Sequence, residues 1–183
     1  MNQTSKAASY DSRVDTFQHI QTVQVLLGTV IADLQQRQLT HDQSKLVAPE
    51  REVFDEYTPK LATSTYGSDE YKGFLEEMKA ALEHHYAHND HHPEHFEDDD
   101  WAAMYSAGDP PSRWARAPLQ GVAAMDLVQL IEMLCDWKAA TLRHNDGDIL
   151  KSIEINQQRF GYSDELKQLL LNTLPLIDIA LKK

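Results

Sequence analysis

Apolar residues recur along this chain at intervals of three and four and rarely alternate. That is the period of a helix face rather than of a half-buried strand. A first helix is expected from about Ser12 to Gln38, with His19, Val23, Leu26, Val30 and Leu34 on one face. A second should start near Thr40, where "THDQ" reads as a capping box with Thr40 as N-cap and Gln43 at the third helical position. Pro59 and the stretch "TSTYGSDE" then suggest a loop. Ser68 is placed to cap a third helix, whose buried stripe is Tyr71, Phe74, Leu75, Met78 and Leu82, and Pro93 should end it.

Residues 97–119 break the period. Acidic residues, Gly108 and three prolines surround Trp101 and Trp114, so the stretch reads as a lid or a disordered insertion. A fourth helix is expected from Gln120 to Arg143, with Leu127, Leu130, Ile131 and Leu134 as its stripe. Another should run from Ile149 to about Arg159. Ser163 can cap the last, which turns Leu166, Leu169, Leu170, Leu174, Ile177 and Leu181 inward and meets a kinking Pro175. The fold class is all-α: a polar N-terminus over residues 1–11, expected to be flexible, then one helical domain over 12–183.

Composition narrows the function classes. A chain of 183 residues is long enough for one real core. The formal net charge of −12 gives no general attraction for a nucleic-acid backbone or an anionic membrane, although a local basic pocket for a phosphate ester remains open. The single cysteine, Cys135, excludes an intramolecular disulfide and a thiolate zinc knuckle. The start of the chain lacks a signal-peptide core, and no apolar run approaches the ~20 residues of a membrane span. The expectation is a cytoplasmic protein, in the host cytoplasm if a phage encodes it. Self-association stays open.

The unusual chemistry lies in "EHHYAHNDHHPEHF", residues 83–96, which hold six of the nine histidines. The run is internal and interrupted, unlike an affinity tag, which leaves accident or a metal site. Helical phase puts His85 on the stripe of Phe74, Met78 and Leu82, with His88 at its edge and His84 toward the polar side. A buried imidazole needs hydrogen-bond partners or a metal. Taken singly, His19 reads as a core histidine and His41–Asp42 as first-turn capping chemistry. Taken together, three helices place imidazole or carboxylate where a core should be.

His19, then "HDQSK" with His41, Asp42 and Lys45, then the histidine run, then Asp136 in "EMLCDWKAA" resembles the HD-domain superfamily of metal-dependent phosphohydrolases. The three elements are most similar to a small family of phage and bacterial proteins with HD-x-SK, HH-x-x-HN-x-HH and EM-x-CDW motifs. The resemblance covers roughly residues 19–174 apart from the insertion. It implies an HD-like helical bundle holding one or two divalent transition ions, Mn, Fe, Co, Ni or Zn. The implied ligands are His19, His41, Asp42 and Asp136 for a first ion, with His85, His88, His91 and His92 as the pool for a second ion or a general acid. Asp136 rests on the resemblance alone, since the helical wheel puts it opposite Leu127 and Leu134.

Imidazole plus carboxylate without thiolate suits these ions. Lys45 is suited to neutralise phosphate charge, His88 to serve as a catalytic group, and Glu132 to orient a ligand from behind. Arg113 and Arg116, beside Trp114, are suited to clamp a substrate. The expected function is hydrolysis of a nucleotide or cyclic nucleotide, so the partner is a small phosphorylated molecule. The alternatives are a non-catalytic nucleotide- or protein-binding phage factor on the same scaffold and a dinuclear iron oxygenase.

Overall fold

The computed structural model describes residues 10–65, 67–97, 120–143 and 147–178. All regular structure among them is helical, as the period requires. The α-helices are α1 Arg13–Thr40, α2 Glu50–Thr63, α3 Asp69–Glu77, α4 Lys79–His88, α5 Leu127–Arg143, α6 Ile149–Phe160 and α7 Asp164–Ile177. Short 3₁₀ turns occupy Gln43–Leu46, Pro93–Phe96 and Gly121–Ala124. The chain divides into two compact units, residues 1–39 and 40–183. In the first, α1 is a continuous 28-residue helix with no buried residue; its apolar side chains Val23, Leu26 and Val30 are exposed.

Several elements depart from expectation. The "THDQ" capping box does not form. Thr40 ends α1, and "HDQSK" winds into a turn and a 3₁₀ turn instead. Thr40 is already helical and Asp42 turns left-handed (φ 56°), so no helix starts there; Pro49 then disfavours helix at Ala48, and the next α-helix starts at Glu50. Conversely, Pro59 does not open a loop: α2 runs through it to Thr63. The third expected helix is divided at Met78, which sits near φ −83°, ψ −3° and is 1% exposed. It also stops five residues before Pro93, because the Asn89 side-chain amide donates to the His85 carbonyl (2.8 Å) and takes up a helix-end acceptor. The fourth expected helix starts later, at Leu127, where the Asp126 carboxylate accepts from the Val128 and Gln129 amides. Ser163 and Ser68 cap α7 and α3 as their sequences suggest.

The core of the second unit consists of Phe96, Val122, Met125, Met133, Leu134, Trp137, Ile153, Tyr162 and Leu170. Trp137 lies near-parallel to Phe160 and to Tyr162, whose hydroxyl donates to the Ile153 carbonyl at 2.6 Å. Leu127 and Leu169, expected inside, are exposed. The buried face of α5 is therefore Met133, Leu134 and Trp137. That rotation leaves Glu132 and Asp136 half-buried on a neighbouring face, where polar side chains from other elements can meet them.

Candidate metal centre

Three pieces of backbone converge in the second unit. The turn after α1 supplies His41 and Asp42, the end of α4 and the turn after it supply His85, His91 and His92, and α5 supplies Glu132 and Asp136. Asp42 sits between the donor sets. Its Oδ1 lies 3.3 Å from His85 Nε2 and 3.5 Å from His91 Nε2, and His85 Nε2 lies 3.0 Å from His92 Nε2. Its Oδ2 lies 3.6 Å from His41 Nε2 and accepts from Lys45 Nζ at 2.7 Å. His41 Nε2 in turn is 3.7 Å from Asp136 Oδ1. Asp42 is the one described non-glycine residue with positive φ (56°), a conformation that aspartate tolerates better than bulky residues. Such a conformation persists where surrounding structure holds it, and here it aims both carboxylate oxygens at imidazoles.

The donor sets fit metal ions. Asp42, His85, His91 and His92 offer four ligand atoms within 4.8 Å of one another, and His41, Asp42 and Asp136 offer three. Donors around a tetrahedral ion of zinc size stand ~3.3 Å apart, close to the spacings above. Asp42 Oδ1 and His91 Nε2 are buried without a hydrogen-bond partner. Buried polar atoms are rarely left unpaired, and a cation between these two would satisfy both. This cluster of buried histidines and acids can hold a metal ion.

A second layer orients the imidazoles. The Glu50 side chain is fully buried; its Oε2 accepts from His85 Nδ1 (2.9 Å) and from the Ser44 hydroxyl (3.0 Å), and its Oε1 from His84 Nδ1 (2.7 Å). Glu132 Oε1 lies 2.8 Å from His41 Nδ1 and 3.3 Å from His91 Nδ1. Each carboxylate takes Nδ1 from two histidines. Glu50 thereby frees Nε2 of His85, and Glu132 frees Nε2 of His41 and His91, to face the cluster. His41 Nδ1, His91 Nδ1 and Glu132 also form a group of three possible ligands. The short His41 contact makes Glu132 an orienting carboxylate there.

Electrostatics follow from this packing. Burial acts to raise the Asp42 carboxyl, but the imidazoles of His85 and His91 and the Lys45 ammonium outweigh it and hold Asp42 far below the usual carboxylate range. Asp136 is likewise held low against its burial, chiefly by His41. His41, faced by the Asp136 and Glu132 carboxylates, is raised to about 10. His92 is pushed well below the ordinary imidazole value by burial and by His91 beside it, which keeps its lone pair available.

A cavity of about 580 Å³ opens beside the cluster, with Lys45, His92 and Asp136 in its wall. Elsewhere it is lined by aromatic rings, including Phe54, Tyr86 and Trp137, and by one face of α6. Its size is within the range of small-molecule sites.

A family model described as a family of unknown function (DUF5662) matches residues 8–176. The chain belongs to the DUF5662 family. No curated protein and no solved structure matches the chain.

For this DUF5662 protein, the structure brings together His41, Asp42, His85, His91, His92 and Asp136, with Lys45 against Asp42. His88 is exposed, stacked on His84, with its Nδ1 donating to the His84 carbonyl; it is in none of the three groups and does not line the cavity. It lies one turn after His84, on the side of α4 that His84 occupies. His19 lies on exposed α1, in the first unit, and is in none of the groups. Arg113 and Arg116 lie outside the described residues. Glu50, Ser44 and Asn89 are unanticipated. Glu50 follows a proline at a helix start, where an acid is ordinary, so nothing local marks it.

Proposed function

We propose that this DUF5662 protein is a metal-dependent phosphohydrolase of the HD type, acting on a nucleotide phosphoester. The carrying observation is Asp42, whose two oxygens face separate donor sets beside a cavity large enough for a nucleotide. A divalent ion held there supplies Lewis-acid polarisation of a phosphoryl oxygen and acidifies water. His85, His91 and His92 with Asp42 Oδ1 would hold one ion. His41 and Asp136 with Asp42 Oδ2 would hold a second. Glu50 and Glu132 keep the imidazoles aimed. Lys45, held by Asp42 and by the Phe54 ring 5.0 Å away, offers its ammonium to phosphate oxygens at the cavity wall. Being the cation nearest the cluster, it offsets the repulsion that a chain of net charge −12 exerts on an anionic substrate.

The test is elemental analysis of untagged protein, followed by a hydrolysis screen with Mn²⁺. Phosphate or nucleoside release from a nucleotide is expected. Metal-loaded protein inactive on nucleoside mono-, di- and triphosphates and on cyclic dinucleotides overturns the reading. Tight nucleotide binding without product would then favour a binding factor, and oxygen-dependent product an iron oxygenase.

A further inference from the structure

The cavity has a further wall beyond Lys45, His92 and Asp136. This wall is made by α6 and its N-cap Asp148; Lys151, Ser152, Ile155, Asn156 and Arg159 recur at helical spacing along one face. α5 forms the adjacent wall, from Asp136 at the cluster to Arg143. Those eight residues span about 10 Å along a helix axis. A phosphoryl group at Lys45, His92 and Asp136 therefore leaves about two helical turns of cavity for the rest of its ester.

Two observations describe what that space accepts. Its lining includes aromatic rings: Trp137 is braced by the parallel Phe160 ring at 6.3 Å, and Tyr86 by the His92 imidazole at 5.1 Å. Rigid ring faces favour a planar π system. The second is Asn156. It is only 3% exposed and lines the cavity, yet its side chain makes one hydrogen bond, a long 3.4 Å contact to Ser152 Oγ. A carboxamide offers two donors and an acceptor that takes two bonds. A buried amide with most of that capacity unused, in the wall of a cavity, points to a ligand that uses it. Neither Lys151 nor Arg143, also in the wall, has an ion pair among the described residues.

We propose that α6 is the specificity wall of the site, and that Asn156 reads the donor–acceptor edge of a planar nitrogen heterocycle, as in a nucleoside monophosphate, held against Trp137 and Tyr86. The reading rests on the proposed phosphohydrolase function for where the phosphoryl group sits. Asn156 is a recognition residue and takes no part in bond breaking. A site built to pair with a polar ring edge discriminates strongly against a ring that lacks it, because its own amide is then left unpaired.

The experiment uses the full-length metal-loaded protein. Binding of the four common nucleoside 5′-monophosphates, of phenyl phosphate and of inorganic phosphate is measured by calorimetry, so that the outcome does not depend on turnover. Wild type is expected to bind at least one nucleoside monophosphate at least tenfold more tightly than phenyl phosphate. Asn156→Leu should remove that preference while changing phenyl phosphate and inorganic phosphate affinity less than twofold, with metal content unchanged. Asn156→Asp, which keeps the shape and an acceptor but loses the donors, should alter the ranking among bases; it also guards against misfolding of the leucine variant, checked by thermal melting. Equal binding of phenyl phosphate and every nucleoside monophosphate overturns the proposal. So does an Asn156→Leu effect that is absent or the same for all ligands. Selective binding without hydrolysis overturns the phosphohydrolase reading alone; hydrolysis of simple esters indifferent to Asn156 overturns this one alone.

Discussion

His85 Nδ1 donates to Glu50 Oε2 at 2.9 Å, and the two side chains are 1% and 0% exposed. A carboxylate so placed is costly to bury unless its oxygens are paired, and both are: Oε2 with His85 and Ser44, Oε1 with His84. The pair joins the start of α2 to the end of α4 and decides which nitrogen of His85 faces the cluster.

Glu50 is accordingly expected to control metal affinity without touching a metal. Glu50→Gln retains the shape but weakens the acceptor, and should lower affinity by about 10- to 100-fold in competition with a chromogenic chelator. Unchanged affinity would remove its orienting role.

Asp42 contributes an oxygen to both donor sets, so Asp42→Ala should strip the protein of stoichiometric metal, as read by elemental analysis after dialysis. A fully loaded Asp42→Ala protein would refute a metal centre built on Asp42.

His84 and His85 are adjacent but differ in aim. His85 Nε2 faces Asp42, whereas His84 is a third exposed, pairs with the far oxygen of Glu50 and stacks on His88. His85→Ala should lower metal affinity far more than His84→Ala. Equal losses would show that the cluster does not discriminate between the two imidazoles.

Proton linkage should be visible in the metal-free protein. His41 is raised from an ordinary value of about 6.5 to about 10 by Asp136 and Glu132. Its contribution to stability is complete below about pH 6.5 and is lost as pH rises through about 10. The Tm of metal-free protein should therefore fall across that window, and His41→Gln should flatten the fall. Metal binding at pH 8 should also release a proton, seen as a dependence of calorimetric heat on buffer ionisation enthalpy. Heats independent of buffer would contradict a protonated His41.

Lys45→Met should cut turnover at least tenfold with metal content unchanged, since its ammonium lies on Asp42 and lines the cavity without being a ligand. Loss of metal in parallel with activity would instead make Lys45 a structural partner of Asp42.

The all-helical fold was legible in the three-to-four spacing of apolar residues, because burial on one face of a helix imposes that period directly. The serine caps of α3 and α7 were legible for the same local reason: a side chain bonds an amide two or three residues away. The residue types of the cluster that can hold a metal were legible, with His41, Asp42, His85, His91, His92 and Asp136 all singled out. Their relationship was not. Asp136 reads as solvated on a helical wheel. It is half-buried because α5 packs through Met133, Leu134 and Trp137 and leaves Asp136 facing His41, ninety-five positions earlier. Glu50 is an unremarkable first-turn acid until α4 lays two histidines against it. His88 shares a helix and a motif with His85 yet is exposed, because it lies one turn after His84 and stacks on that ring rather than meeting the cluster. Local periodicity determines which residues can share a face. Which faces meet, and so which nitrogens and oxygens point at one another, depends on packing between segments far apart in the chain, which only the tertiary structure decides.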